Sequence, residues 1–160
     1  MSIGCFMKWK YYVGSILLVL AVGTIAGILT SGGTMQYAEL AKPAFSPPAI
    51  VFPIVWTILY TLMGIGVARI FLSEPTRVRN QGLNLFWLQL FFNFMWSILF
   101  FNFKAYGIAF LWLLVMLALI LAMIKKWYKT DPLAAKLQIP YAVWTAFAGG
   151  LNFAVWQLNK

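Results

Sequence analysis

Long apolar runs alternate with short polar segments along the whole chain. Runs without Lys, Arg, Asp or Glu cover residues 11–38, 43–68, 80–103, 105–124 and 137–159. Each run is long enough for a helix to cross a hydrocarbon layer of about 30 Å. The pattern therefore predicts an all-α fold, a five-transmembrane-helix bundle in one integral membrane domain. The predicted helices lie at about residues 9–30, 47–72, 81–103, 105–128 and 132–157.

Composition and charge agree with this interpretation. The chain is 63% hydrophobic and 9% charged, which is too apolar for a soluble domain of 160 residues. If the helices cross in turn, three basic residues lie on one side of the membrane: Lys42, Lys104 and Lys160. The others lie on the opposite side: Lys8, Lys10, Arg69, Arg77, Arg79, Lys125, Lys126, Lys129 and Lys136. By the positive-inside rule the N-terminus is cytoplasmic and the C-terminus lies outside. The net charge of +9 then reflects topology, and we expect no nucleic-acid partner.

Prolines mark the start of the second apolar run. Ser46 is suited to cap the second predicted helix, with Pro47 and Pro48 in its first turn. Pro53 then falls inside the helix, where it removes a hydrogen bond and predicts a kink beside a pocket. Trp56 and Tyr60 follow four residues apart, so they share one face. Helix packing is the alternative role for either aromatic side chain.

The third predicted helix carries polar residues at membrane depth. Gln89, Asn93, Trp96 and Ser97 form one stripe, which we expect to face the interior of the bundle. Amides at this depth must bond to another helix or to a bound molecule. Both interpretations of Asn93 stay open at this point.

The fifth predicted helix shows the same arrangement. Asp131 and Pro132 supply a cap and a proline at its first turn. Pro140 is a second interior proline, and Trp144 and Ala148 then lie on one face. Two proline-kinked helices and one amide stripe predict a slot that is lined by flat aromatic surfaces. Such a slot suits a large planar apolar ligand.

Several kinds of chemistry lack the residues that they need. Charged residues occur only near the ends of the predicted helices, and the apolar runs lack the intramembrane Asp, Glu, Lys or Arg that proton-coupled carriers use. The sequence has no serine elbow, paired carboxylates or phosphate-binding loop, and no spacing typical of metal ligands. It has no histidine, and its one cysteine, Cys5, is expected to be a free thiol. We therefore predict no metal site and no required cofactor.

Three stretches of the sequence resemble a known family. They are K-P-A-F-S-P-P from Lys42 with P-I-V-W-T-I-L-Y-T-L-M-G from Pro53, Q-L-F-F-N from Gln89 with Trp96, and Pro140–Tyr141 with Trp144. The chain is similar in these stretches to the translocator protein family, also called TspO, tryptophan-rich sensory protein or peripheral-type benzodiazepine receptor. The resemblance implies binding of protoporphyrin IX or a haem-related tetrapyrrole between the second, third and fifth helices, under a loop at residues 30–46. It also implies that Tyr37 leans over this pocket.

These observations define a set of candidate ligand-binding residues: Tyr37, Trp56, Tyr60, Asn93, Trp96, Ser97, Trp144 and Ala148. Alternative functions are transport of tetrapyrroles or lipids, or light-dependent oxidative degradation of the porphyrin. The resemblance implies that Trp56 and Trp144 would be the catalytic pair of such an enzyme. Membrane lipids are expected partners, as is a second copy of the chain in a homodimer. Gly23 and Gly27 have the GxxxG spacing for close helix contact, either within the chain or in that dimer.

Overall fold

The computed structural model describes the backbone of residues 3–160 and the side chains of residues 8–33, 35 and 37–160. The side chain of Cys5 lies outside this set. The described residues form helices and no strand, which confirms the all-α prediction. The helices are α1 (Ile3–Leu29), α2 (Ser31–Tyr37), α3 (Val51–Leu72), α4 (Arg77–Ser97), α5 (Tyr106–Tyr128), α6 (Pro132–Lys136) and α7 (Ile139–Leu158). A π-helical turn, Ile98–Asn102, continues α4.

Four helices of the described chain are long and apolar enough to cross a membrane. These candidate spans are Lys8–Leu29, Val51–Leu72, Arg77–Asn102 and Tyr106–Tyr128. The 20 residues of α7 give a similar length, but its sequence includes Asn152, Gln157 and two glycines, which lower its hydropathy. Four of the five predicted spans are thus found among the described helices, and α7 is a further helix of similar length that packs against α5.

The helices associate in two groups. α1 packs along α3, while α4 and α7 both pack along α5. Contacts between α3 and α4 are sparse by comparison. The two groups therefore leave room between them wherever no large side chain fills the gap.

A tryptophan fills that gap at one end of the bundle, called here the basic end because Arg69, Arg79 and Lys126 lie there. Trp127 is fully buried and stacks on Phe86, with ring centroids 5.6 Å apart. An added Cβ at Gly66 of α3 would lie 3.0 Å from this indole, and one at Gly82 of α4 would lie 2.6 Å from it. Glycine on both sides lets the two helices close around the ring.

Polar side chains also tie the basic end together. Arg69, in the last turn of α3, forms an ion pair with Asp131 at 2.9 Å. The guanidinium of Arg79 donates to the carbonyls of Ile70 and Phe71 at 2.9 and 2.8 Å. Because those carbonyls end α3, this arginine links the end of α3 to the start of α4. The opposite end, called here the loop end, carries residues 30–50.

The start of α3 differs from the prediction. The helix begins at Val51, so Pro53 is its third residue and not an interior one. A proline in the first turn removes no intrahelical hydrogen bond, and the predicted kink at this position is therefore wrong. The predicted cap at Ser46 is also wrong, because this residue lies in the loop, five positions before the helix.

The fifth predicted helix is divided into α6 and α7. The Asp131 carboxylate accepts hydrogen bonds from the N–H groups of Leu133 and Ala134 at 3.0 and 3.1 Å, which confirms the predicted cap. The chain turns at residues 137–138, and α7 then begins at Ile139. Pro140 is the second residue of α7, so the predicted interior kink is wrong here for the same reason.

The other boundaries differ from the prediction by at most six residues. α1 begins at Ile3, six residues before the predicted residue 9. α5 begins one residue later than expected and ends at Tyr128. α4 begins at Arg77, four residues earlier than the predicted 81, because the side chain of Thr76 caps it by accepting from the N–H of Arg79 at 3.1 Å. The amide stripe of α4 is unaffected by this extension.

Candidate ligand-binding cavity

A cavity of about 500 Å³ lies where the two helix groups separate, toward the loop end. Its walls come from α1, α3, α4, the π-helical turn and α7, and Tyr37 of α2 lies over it. Small residues give it width, among them Ala26 and Gly27 of α1 and Ala148 of α7. Its volume falls within the range of about 300–1,000 Å³ that is typical of small-molecule sites.

Pairs of aromatic rings form two of the walls. Trp56 and Tyr60 of α3 have ring centroids 5.3 Å apart, with 30° between their planes. Trp96 of α4 and Phe100 of the π-helical turn have centroids 5.4 Å apart at the same angle. Each pair is four residues apart and presents a broad apolar surface to the cavity. This geometry fits the planar ligand that the sequence predicts.

Most polar groups in the walls are already hydrogen-bonded. The hydroxyls of Thr24, Thr30 and Thr57 each donate to the carbonyl four residues earlier, at 2.8, 2.8 and 2.7 Å. These residues therefore present their methyl groups to the cavity. Within the described part of the chain, the Ser97 hydroxyl and the Trp56 indole N–H have no such partner. A ligand here meets a largely apolar surface with a few free donors.

Tyr37 closes the cavity at the loop end. Its ring is half-buried against Phe52, Phe100 and Phe101, with centroids 6.3, 5.9 and 5.9 Å away. Lys42 lies above the same ring, with its Nζ atom 4.9 Å from the centroid. Burial raises the pKa of Tyr37, so the phenol stays protonated at neutral pH. Its hydroxyl is buried without a direct hydrogen-bond partner among the described residues, although the nearby Ser46 side chain offsets part of the rise in its pKa. A ligand would compete with Ser46 for this donor.

Asn93 lies behind the cavity and not on its surface. Its Oδ1 atom accepts from the Tyr60 hydroxyl at 2.7 Å, and its Nδ2 atom donates to the Tyr141 hydroxyl at 3.1 Å. Tyr141 in turn donates to Gln89 at 2.7 Å. The direct ligand contact expected of Asn93 is therefore corrected to a supporting role, because both of its polar atoms bond to other helices. The network sets the position of the Tyr60 ring.

Trp96 is positioned by a second set of hydrogen bonds. Its indole N–H donates to Asn152 of α7 at 3.1 Å, and Asn152 donates to the carbonyl of Tyr106 at 2.8 Å. These bonds join α4, α5 and α7 beside the cavity. Ser97 and Ala148 both line the cavity, as the sequence predicts.

Trp144 lies beside the cavity and does not line it. It packs against Phe52 at 5.9 Å and Phe147 at 5.3 Å, and it is not among the residues that line the cavity. Its indole N–H is buried without a partner in the described residues. Phe52 lines the cavity, and its ring packs against the Trp144 indole in an edge-to-face arrangement. The expectation that Trp56 and Trp144 face one slot is corrected here, because only Trp56 reaches the cavity surface.

One entire wall was missing from the sequence prediction. α1 contributes Leu20, Gly23 and Gly27 to the lining, although the predicted pocket used only the later helices. The sequence feature that could have indicated this wall was the GxxxG spacing of Gly23 and Gly27. An added Cβ at Gly23 would collide with the Tyr60 ring, so this glycine brings α1 against α3 within the chain.

A second cavity, of about 520 Å³, lies beyond the first at the loop end. It contains the charged side chains of Glu39 and Lys104. Tyr37, Phe100 and Phe101 line both cavities, so these three rings form a partition between a charged outer space and an apolar inner one. In the described residues no group of three His, Cys, Asp or Glu side chains is placed to hold a metal.

Comparison with known proteins places this fold in a family. The model of the TspO/MBR family matches residues 15–157. The chain is 36% identical to the translocator protein of Bos taurus over 155 residues, which cover 95% of this chain and 92% of that protein. It is also 36% identical to the tryptophan-rich sensory protein of Cereibacter sphaeroides over 153 residues, covering 96% and 94% of the two chains.

A third relative agrees with these two. The tryptophan-rich protein TspO of Chlorobaculum tepidum is 34% identical over 149 residues, which cover 89% of this chain and 91% of that one. The matches extend over nearly the whole sequence, including the apolar helices that could cross a membrane. The chain is therefore a multi-pass membrane protein and belongs to the TspO/MBR family.

Proposed function

We propose that the protein binds a porphyrin, protoporphyrin IX or a close tetrapyrrole relative, in the inner cavity. The observation that carries this proposal is the pair of aromatic walls, Trp56 with Tyr60 and Trp96 with Phe100, around about 500 Å³ of apolar space. Flat walls favour a large conjugated ring over a compact or strongly polar ligand. The indole N–H of Trp56 and the hydroxyls of Ser97 and Tyr37 can then orient its few polar groups.

The cavity residues favour a porphyrin that is held by aromatic stacking, rather than a haem whose iron is bound by a side chain. The chain has no histidine. Among the residues whose side chains the structure describes, no methionine or cysteine lines the cavity. The hydroxyl of Tyr60 already donates to Asn93 and lies behind the wall. Tyr37 also lines the cavity, but burial raises the pKa of its phenol and so disfavours the phenolate that would ligate iron. A firmly held iron would need an axial ligand from this set. We therefore propose that the metal-free porphyrin binds at least as tightly as haem.

The test is a titration of the purified protein with protoporphyrin IX, followed by tryptophan fluorescence and by the porphyrin absorption band. We expect saturable quenching at micromolar ligand. Trp56→Ala should weaken binding, while Trp87→Ala should not, because Trp87 is exposed on α4 and does not line the cavity. A wild-type protein whose fluorescence is unchanged by micromolar porphyrin would contradict the proposal.

The membrane and the orientation are part of the same proposal. We place the chain in the cytoplasmic membrane of a bacterium, with the basic end in the cytoplasm and the cavity toward the outer side. A membrane-impermeant thiol reagent offers a direct measurement, because Cys5 is the only cysteine. We expect labelling in permeabilised cells and none in intact cells. Equal labelling in both would reverse the orientation.

Transport is a second candidate, favoured by one feature. The inner and outer cavities lie in series and share a partition of three rings, as a path toward the outer side would require. The name of the Bos taurus relative, translocator protein, agrees with this candidate. Flux of protoporphyrin IX into proteoliposomes, compared with protein-free liposomes, distinguishes a carrier from a binding protein. Equal flux in the two preparations excludes transport.

Homodimer formation and contact with membrane lipids stay predictions. The exposed faces of α1 and α5 are apolar, including Leu17, Ile28, Ile108 and Leu111, as lipid contact requires. Gly23 packs on Tyr60 of the same chain, so this part of the GxxxG spacing is used internally. Cross-linking in native membranes, with and without porphyrin, tests the dimer. Only monomer under both conditions would contradict it.

A further inference from the structure

We infer that the ligand enters the inner cavity sideways from the lipid bilayer, through an opening between α1 and α3. The inference rests on the proposed binding site and concerns its entrance. It is based on which parts of the cavity wall are exposed, where α1 and α3 separate, and which groups cover the loop end. It implies that the ligand class is one that partitions into membranes.

The two helices are in close contact away from the opening. An added Cβ at Gly64 of α3 would collide with the backbone of Ile16 of α1, and one at Gly23 would collide with Tyr60. Toward the loop end this contact is lost. An added Cβ at Gly27 would meet nothing within 4 Å. The helices therefore diverge between Gly23 and Gly27.

The cavity reaches the outside of the bundle at that divergence. Thr24 and Gly27 of α1 and Pro53 and Thr57 of α3 all line the cavity, and all four are exposed. They belong to helices whose outer faces contact hydrocarbon in a membrane. The opening therefore faces lipid and not water.

The edges of this opening are suited to hydrocarbon. The hydroxyls of Thr24 and Thr57 donate to the carbonyls of Leu20 and Pro53, so they leave no unpaired donor in the passage. Pro53 has no N–H to satisfy, which makes it compatible with an exposed first turn of a helix in lipid. None of the four residues at the opening is charged. The apolar ring of a porphyrin therefore meets no unpaired hydroxyl of Thr24 or Thr57 on this path.

The route from water is covered by comparison. Tyr37 packs against Phe52, Phe100 and Phe101 across the loop end. Asn102 donates to the carbonyl of Leu29 at 3.0 Å and ties the π-helical turn to the end of α1. Entry from the outer cavity requires these packed rings to move. Entry from lipid does not cross this layer of packed rings.

The test compares rates and equilibria in proteoliposomes. Protoporphyrin IX is added and partitions into the bilayer, and its absorption band is followed by stopped flow. Gly27→Phe and Thr57→Phe narrow the opening from its two sides. Gly14→Phe is the matched control, because Gly14 is an exposed glycine of α1 with open space around it and does not line the cavity. Leu40→Trp narrows the outer cavity only.

We expect both variants at the opening to slow association by about tenfold. Association is the deciding quantity, because Gly27 and Thr57 also line the cavity and a Phe there changes the dissociation constant as well. An entrance changes the barrier in both directions, whereas a binding surface changes mainly the release rate. Gly14→Phe and Leu40→Trp should keep wild-type rates. Thermal unfolding confirms that each variant is folded. If one of the two variants at the opening does not fold, the other still tests the entrance.

Two results would overturn the inference while the proposed function stands. One is slow binding in Leu40→Trp with wild-type rates in Gly27→Phe and Thr57→Phe, which would place the entrance at the outer cavity. The other is a raised dissociation constant in both variants at the opening without slower association. A wild-type protein that binds no porphyrin contradicts the proposed function itself, and this entrance with it.

Discussion

The space between α3 and α4 is occupied differently at the two ends of the bundle. At the basic end Trp127 fills the space between α3 and α4, and glycines on both helices fit around its indole. At the loop end the same two helices hold Trp56 and Trp96 along the walls of a cavity. Tryptophan is thus a core residue at one end and a cavity surface at the other. The difference shows that the number of tryptophans in this chain does not by itself locate a binding site.

The largest expected effect is on stability at the basic end. Trp127→Ala removes a fully buried indole that stacks on Phe86, and we expect it to cost about 3–5 kcal/mol of unfolding free energy. Thermal unfolding in detergent measures the change. Trp87→Ala on the exposed face of α4 is the control and should shift the transition far less. An equal shift in the two variants would mean that the basic end is not the packed core.

A substitution at the cavity should separate binding from stability. Trp56→Ala removes half of one aromatic wall, and we expect porphyrin affinity to fall by roughly tenfold or more, about 1.4 kcal/mol or above. Trp56 is only partly buried, so unfolding should change less than in Trp127→Ala. Fluorescence titration and thermal unfolding give the two values. Lost stability with unchanged affinity would contradict the distinction between the two ends.

The hydrogen-bond network behind the cavity should show a smaller, mixed effect. Tyr60→Phe removes the donor to Asn93 and leaves a buried acceptor unpaired, at a cost of about 1–3 kcal/mol. Affinity should fall less than in Trp56→Ala, because the aromatic ring remains in the wall. The same titration and unfolding measurements apply. An affinity loss that exceeds that of Trp56→Ala would mean that the hydroxyl contacts the ligand directly.

Light chemistry gives the smallest expected difference between variants, and it tests the corrected position of Trp144. The complex with protoporphyrin IX is illuminated in air, with a dark control, and the decay of the porphyrin band is followed. If the protein degrades porphyrin, Trp56→Phe should slow the decay, and Trp144→Phe should change it less, because Trp144 does not line the cavity. Equal slowing in both would restore the two-indole hypothesis. Decay that neither variant slows would exclude both indoles from the reaction.

The corrections at the prolines have one physical origin. Pro53 and Pro140 were expected inside helices because the apolar runs around them continue without a break. In both cases the helix begins just before the proline, so the residue occupies the first turn. Hydropathy reports which residues enter a membrane, but it does not report where a helix begins. A capping side chain identified the boundary at Asp131, whereas the cap that Thr76 provides at the start of α4 was not recognised in the sequence.

The sequence by itself determined the helical class, the apolar segments, the distribution of basic residues and the family resemblance. Each of these follows from residue type and spacing along one chain. The tertiary structure alone decided that α1 forms a wall, that Asn93 supports Tyr60 from behind, and that Trp144 lies beside the cavity without lining it. The reason is that these helices are apolar on nearly every face, because lipid and protein neighbours are both hydrophobic. Which face meets the cavity then depends on the contacts between helices, and those contacts are made only when the bundle assembles.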